Sequence, residues 1–408
     1  MPKHRLIVVV ALVAVFVSVA AVAQDWPQWR GPSRDGKATG FTAPETWPAA
    51  LTQQWRVVVG AGDATPALVG DRLYVFTRQG EEEVTTCLNV ADGAPVWQDK
   101  VAAAAVTGAA ARHPGPRSSP AVAEGKVVTL GVAGVVSCLD AETGAVVWRK
   151  DPFPGVVPRF FTASSPLILN GAAVAHLGGA GNGALIAYDL ATGEEKGRWA
   201  GEGPDYASPV LMTVGDTPAL VTLTEKSTVG ISVADGKLLW QIPFVPQGRA
   251  YNSSTPVVDG QTVYVTGSLR GIRALKIEQQ GEAFTATELW ANPDLACQFS
   301  TPVLRDGFLY GVSDRGHLFC LNAGSGAAAW VDEAVTDKGG YAPMVEAGGV
   351  LMALPSTGEL IVFKPDNTAY AEVARYKVAE TPVYAYPVVS GKRILVKDQD
   401  NVTCWVLP

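Results

Sequence analysis

The sequence predicts an all-β fold: an eight-bladed β-propeller of four-stranded antiparallel blades, closed by pairing the N-terminal strand into the last blade. Three observations carry that expectation. A Pro, usually after Ser or Thr and before a short apolar run, recurs at Pro66, Pro120, Pro166, Pro209, Pro256, Pro302, Pro343 and Pro387, at intervals of 41 to 54 residues. Seven of the 11 Trp fall at one place in successive copies: Trp55, Trp97, Trp148, Trp199, Trp240, Trp290 and Trp330. The 43 Gly and 28 Pro supply tight turns, and no amphipathic helical stretch separates the copies. A period of this length with four short strands per copy is the mark of a propeller blade.

Taken in chain order, the first element is an export segment. Lys3, His4 and Arg5 precede an uncharged apolar run over residues 6–23 that ends Ala21-Val22-Ala23. This is the pattern of a signal peptide over residues 1–23, cleaved after Ala23, which places the protein in the periplasm or outside the cell. An uncleaved anchor is the alternative, since 18 apolar residues approach the length of a membrane span. No Cys stands at the junction for lipid attachment. A lead-in over residues 24–50 follows, and the propeller occupies residues 51–408.

Each copy then repeats the same parts. The Pro-led strand, as in Ser118-Ser119-Pro120-Ala121-Val122, is followed by a Gly turn and a β-rich stretch such as Thr262-Val263-Tyr264-Val265. A hairpin leads to a third strand, for example Val136-Ser137-Cys138-Leu139-Asp140. A Thr-Gly or Asp-Gly turn then reverses the chain into the Trp strand, Gly being the residue that tolerates positive φ at such turns. The copy led by Pro387 has three strands only, and Tyr376 takes the Trp place before it. Trp55 lies 11 residues before Pro66, as Tyr376 lies 11 before Pro387, so the strand around Trp55 is expected to complete the last blade. Such closure removes an exposed sheet edge. The alternative count is seven blades.

Composition bounds the function. Charged residues are 17% and the net charge is −7, and no basic stripe interrupts it, which excludes a nucleic-acid binder. Cys87, Cys138 and Cys320 each precede Leu and then Asn or Asp, with Cys404 in a similar place; a repeated location reads as a small buried strand residue. Cys297 stands apart as a free thiol. The absence of C-x-x-C and the wide spacing of His113, His176 and His317 argue against a metal site.

The run from Asp140 to Trp148 and the run Ala187-Tyr188-Asp189-Leu190-Ala191-Thr192-Gly193 resemble the tryptophan-docking repeat of pyrroloquinoline-quinone (PQQ)-type propellers. These include quinoprotein alcohol dehydrogenases and the BamB-like proteins of outer-membrane assembly. The segment Asp25-Trp26-Pro27-Gln28-Trp29-Arg30-Gly31-Pro32 resembles the lead-in of exported proteins of this type. The resemblance implies either a scaffold or a PQQ- and Ca²⁺-dependent dehydrogenase. The second would need cationic side chains for the cofactor, with Arg117, Arg159 or Arg249 as candidates, together with carboxylates for Ca²⁺ and adjacent Cys. No two Cys are adjacent here.

The expected function is therefore a non-catalytic exported scaffold that binds a protein, peptide or cell-envelope component through one propeller face. No cofactor is expected, and the mature chain is expected to be a monomer without a membrane span. A quinoprotein dehydrogenase and a small-ligand or sugar-binding propeller are the alternatives. Loops leading into the innermost strands ring one mouth of the channel, and they carry Arg117, Arg159, Tyr206, Arg249, Tyr251, Phe299, Tyr341 and Tyr386. Arg with aromatics is the composition of interaction surfaces. Arg270 and Arg315, in matching hairpins of adjacent copies, are a second candidate pair, able to clamp a carboxylate if they converge.

Overall fold

The structure, a computed structural model, describes residues 25–408, so the expected signal peptide and its cleavage point lie outside the described residues. Eight sheets follow one another in sequence, the first seven with their strands in chain order from the channel outward. Blades 1 to 7 span residues 67–102, 121–150, 167–201, 210–243, 257–292, 303–335 and 344–377. Blade 8 joins residues 388–406 to the strand Thr52–Val58, which pairs antiparallel with Asn401–Val406. The expected closure is thus present. Among the described residues the helical segment is a single 3-10 turn, Gly108–Arg112, and no helix is long and apolar enough to cross a membrane.

The sequence pattern follows from where each strand sits. Innermost strands are short, three residues in six blades (Ala67–Val69 in blade 1), because the blades converge on the channel there. Second and third strands are covered on both faces by neighbouring sheets and read as continuous apolar runs; Ala172–Gly179 is buried throughout. Outer strands face water on one side and alternate, as Pro95–Ala102 does.

In every blade the pairing of the third and fourth strands shifts register by a bulge, next to the Trp in six blades and next to Gly197 and Ala374 in blades 3 and 7, where Trp199 and Tyr376 stand two residues further along the strand. A bulge twists the strand and re-aims a side chain. Five indoles are thereby turned onto the next blade. Their Nε1–H groups donate to main-chain carbonyls there: Trp55 to Val90 (3.0 Å), Trp97 to Ala141 (3.1 Å), Trp148 to Leu190 (3.0 Å), Trp290 to Ala323 (2.9 Å) and Trp330 to Asp366 (2.8 Å). The repeated Cys residues stand directly opposite these Trp in the ladder, as Cys87 with Trp97, Cys138 with Trp148, Cys320 with Trp330 and Cys404 with Trp55. A small side chain is needed under an indole. All five Cys are buried and unbridged, and burial pushes the Cys87 thiol up to about 11, so the thiolate is suppressed. Cys297 shares this burial.

Around the channel, the residue before each repeated Pro builds a ring of hydrogen bonds. The backbone N–H of Thr65 donates to Ser119 Oγ (3.0 Å), Ser119 to Ser165 (2.9 Å), Ser165 to Ser208 (2.9 Å), Ser208 to Thr255 (3.3 Å) and Thr255 to Thr301 (3.0 Å). Blade 7 offers Ala342, which has no hydroxyl. The phenol of Tyr386 crosses that gap, accepting from the Thr301 N–H (3.3 Å), while its own N–H returns to Thr65 Oγ1 (2.9 Å). Seven of the eight blades are thus latched into a ring that passes over blade 7, each by a group that also satisfies a buried donor.

The lead-in is embedded in this channel. Trp26 exchanges two main-chain hydrogen bonds with Leu68, Pro27 accepts from Val122, and Gly36 accepts from Glu346. Lys37–Ala38 adds a short parallel strand to blade 7. Arg30 is fully buried and donates to Pro302 O (2.8 Å); Arg34 donates to Ser165 O and Pro166 O (both 3.0 Å). Neither cation has a carboxylate partner, so carbonyl oxygens carry the compensation, and burial holds the Arg34 guanidinium down at about 9. Residues 25–38 therefore pack as part of the propeller core.

Candidate functional site

Asp25 Oδ1 accepts from Gly70 N, in the first hairpin of blade 1, so the lead-in closes the channel from the side of the first hairpins. The opposite mouth stays open. There the loops that precede the innermost strands surround a cavity of about 290 Å³. Its floor is Trp29, which donates from Nε1 to Thr255 Oγ1 (3.0 Å) and meets Tyr386 edge-on at 4.8 Å.

The wall is an aromatic arc with one ring from each of blades 3 to 8: Phe160, Tyr206, Tyr251, Phe299, Tyr341 and Tyr384. Tyr251 contacts Tyr206 (4.9 Å), Phe160 (5.0 Å) and Phe299 (5.8 Å). Phe299 stacks on Tyr341 at 4.0 Å, and Tyr341 meets Tyr384 at 5.0 Å. The arc ends on His113, 4.8 Å from Tyr384, whose Nδ1 pairs with Asp63 Oδ2 at 2.8 Å. Burial raises the phenols, Tyr206 to about 12, so they remain neutral hydrogen-bonding groups.

Arg117 fastens the loops. Its guanidinium donates to Phe160 O (2.9 Å), His113 O (2.7 Å) and Ala110 O (3.3 Å), and lies 5.7 Å from the Tyr206 ring. Behind the arc, Asp205 Oδ2 accepts from Asn252 N (2.8 Å), and Asn252 Oδ1 accepts from Arg270 NH1 (2.5 Å). Burial raises the Asp205 carboxyl to about 6. Phe161, beside the arc, sits at φ 65°, a conformation that costs a bulky side chain on the order of 1–3 kcal/mol.

The residues expected at the mouth divide into three groups. Tyr206, Tyr251, Phe299 and Tyr341 are brought together on the arc, with Arg117 among them as a brace. Arg159 and Arg249 are exposed outside the cavity, Arg159 lying over Phe160 at 5.0 Å. Tyr386 is buried in the hydroxyl ring beneath the mouth, because it stands where other copies place their Ser or Thr. Arg270 does not converge with Arg315. It is buried on Asn252 and on Phe244, whose carbonyl accepts from NH1 at 3.0 Å, whereas Arg315 stays exposed at its hairpin tip. Trp29 and Asp63 were not anticipated.

A quinone cofactor with Ca²⁺ finds no matching set here. Asp63 is the carboxylate among the cavity-lining residues and is already held by His113, while Arg117 is spent on carbonyls. Among the described residues no group of three or more His, Cys, Asp or Glu is placed to hold a metal ion. What the arrangement can do is bury apolar surface against aromatic faces, with hydrogen-bonding groups at one end.

Comparison with known proteins agrees with the architecture. The family described as outer membrane protein assembly factor BamB matches residues 48–196 and 80–332. BamB of Burkholderia pseudomallei is 23% identical over 363 residues, covering 86% of this chain and 86% of that protein. Tetrathionate hydrolase of Acidithiobacillus ferrooxidans is 26% identical over 247 residues, 55% of this chain, which spans only 46% of that enzyme. Among solved structures, BamB from Moraxella catarrhalis aligns with a TM-score of 0.66 at 15% identity, over 88% of this chain and 98% of its own. Quinohemoprotein alcohol dehydrogenase from Comamonas testosteroni gives 0.68 at 15% identity, over 94% and 80%. At such identities the two structures speak for the fold alone.

Proposed function

The chain belongs to the family described as outer membrane protein assembly factor BamB, and from that premise we propose that it is a non-catalytic cell-envelope scaffold holding a protein or peptide segment in the aromatic mouth of its propeller. One observation carries this: six aromatic side chains from six consecutive blades form a continuous arc over a cavity closed below by Trp29. Aromatic rings give large contact area with few rotatable bonds, the composition of binding hot spots. Export to the periplasm, from the pattern of residues 1–23, is part of the same proposal.

The test is site-specific photocrosslinking in producing cells. A photoreactive phenylalanine replacing Tyr384 should form an adduct with a protein partner, while the same group at Tyr376, on an outer strand, should not. The Phe299→Ala/Tyr341→Ala variant should lose the adduct while melting as a folded propeller. Equal labelling from both positions overturns the proposal. So does saturable PQQ and Ca²⁺ binding accompanied by alcohol turnover.

A further inference from the structure

Polar groups collect at one end of the mouth, where the loop carrying Asp63 is pinned from two sides. On one side the buried Lys397 ammonium donates to Gly62 O (3.0 Å), Asp398 O (2.6 Å) and Gln399 O (3.0 Å). On the other, the N–H groups of Asp63 and Ala64 both donate to Pro116 O, at 2.9 and 3.1 Å. That close approach depends on a bare Cα, since a Cβ at Gly115 would stand 2.1 Å from Ala61 O. The loop after blade 1 is held in turn by Arg117, through His113 O and Ala110 O. Asp63 and His113 therefore meet at 2.8 Å across two loops that are locked to each other.

The pair fixes a tautomer. A carboxylate only accepts, so the proton shared with Asp63 Oδ2 belongs to Nδ1, and Nε2 of the neutral ring is left as an acceptor. Nε2 has no hydrogen-bond partner among the described residues, and His113 lines the cavity. The aromatic wall begins directly beside it, with Tyr384 edge-on to His113 at 4.8 Å and Tyr341 edge-on to Tyr384 at 5.0 Å. Ring closure needs none of this, because the hydroxyl ring and the N-terminal strand already supply it. What stands here is one directed acceptor at the end of an aromatic cavity.

We propose that this end of the mouth receives one tyrosine side chain of the partner segment, its ring against the aromatic arc and its phenol O–H donating to His113 Nε2. The assignment rests on the reading of the mouth as a peptide-binding site and names the residue that it selects. Other side chains fail on the chemistry of the same end. A phenylalanine would fill the apolar part and leave a desolvated acceptor without a donor, an uncompensated loss. A lysine or arginine would meet Arg112 and Arg117 in the same lining, with Lys397 behind Asp63: three cations against the one carboxylate among the lining residues. An acidic side chain would set a further acceptor against Nε2 and Asp63. An indole carries its N–H on the flank of the ring system, whereas a phenol carries its O–H at the tip, in line with a polar group standing at the end of the wall. The cavity, about 290 Å³, lies at the lower limit of the ~300–1,000 Å³ of small-molecule pockets, room for one such side chain.

The experiment is a saturation-transfer NMR titration of the propeller with three blocked tripeptides, acetyl-Gly-Tyr-Gly-amide and its Phe and Trp counterparts. The Tyr probe is expected to bind the wild type about tenfold more tightly than the Phe probe, the worth of one donor to a buried acceptor. In His113→Phe the two probes should bind alike, and His113→Ala gives the same reading should the first variant fail to fold. The readout is a ratio between probes because a purely structural change would weaken both together. Equal binding of the Tyr and Phe probes to the wild type overturns the proposal, while their joint loss in Phe299→Ala/Tyr341→Ala would leave the aromatic mouth standing. A Trp probe that binds more tightly than Tyr, a Tyr preference that survives in both His113 variants, or no saturable binding of any probe would each overturn it as well. The photocrosslink from Tyr384 then decides separately on the mouth.

Discussion

Alanine at Gly144 and at Gly236 separates the energy of indole docking from the energy of the turn. Both residues hold the left-handed conformation, at φ 75° and 70°, so Ala costs about the same at each, roughly 1–2 kcal/mol. The surroundings differ. At Gly144 the new Cβ would meet Trp97 Cε3 at 2.5 Å and Cδ2 at 2.6 Å. That indole cannot simply withdraw, because its Nε1–H is bonded to Ala141 O and its ring lies against Tyr74 at 5.9 Å. Overpacking of this kind adds ~1–3 kcal/mol. At Gly236 the nearest atoms are 3.5 Å away, ordinary contact. Gly144→Ala is therefore expected to destabilise by roughly 2–5 kcal/mol and Gly236→Ala by roughly 1–2 kcal/mol. The effect of Ala on the unfolded chain is common to both and cancels. Urea unfolding with matched slopes reads the difference directly. Equal costs at the two positions would refute the claim that Trp97 is docked and Trp199 is not.

Two further predictions concern the channel and the mouth. Tyr386→Phe removes the hydroxyl that spans blade 7 and leaves the Thr301 N–H without its acceptor, an expected loss of about 1–3 kcal/mol in thermal unfolding; adding Ala342→Ser to the same chain should restore at least half, and no recovery would argue against a closed ring. Asp205 has its pKa raised from 3.8 to about 6 by burial, so its contribution to stability is complete below pH 3.8 and is lost as pH rises through 6. Asp205→Asn keeps the acceptor for Asn252 N without the charge, and should be more stable than wild type at pH 8 by up to roughly 3 kcal/mol, the difference vanishing by pH 4 in parallel melts.

Blade number, strand order and closure were readable because each rests on local chemistry repeated at one spacing. Gly turns, a Pro at the strand start and a Trp on the outer strand need no knowledge of the partner blade. The arc was partly readable for the same reason, since Tyr206, Phe299 and Tyr341 stand two or three residues before their Pro. Hydroxyl function before those Pro was not readable, because each oxygen serves an N–H of the preceding blade, about 46 residues earlier, as Ser165 does for Ser119. Tyr386 could have been placed by aligning the copies, as it takes the position of the ring hydroxyl. Arg270 could not, because its partners Asn252 and Phe244 lie in a loop whose path no pattern fixes. Trp29, Arg30 and Arg34 read as a lead-in outside the repeat, and only the channel shows where two buried cations and an indole find carbonyl and hydroxyl partners.

The departures from eightfold repetition share one cause. A single peptide without such symmetry enters the channel and adds a strand to one blade alone, so the ring around it must break somewhere. It breaks at blade 7, where Lys37–Ala38 joins the sheet and Ala342 has no hydroxyl; Tyr386 crosses the gap and supports Trp29 from beneath. The mouth inherits that asymmetry. Aromatic rings come from blades 3 to 8, while the Asp63–His113 pair and the Arg117 brace belong to the loops before blades 1 and 2. A segment seated there meets an apolar wall on one side and hydrogen-bonding groups on the other. Orientation, as well as affinity, is therefore set by how the chain closes its own channel.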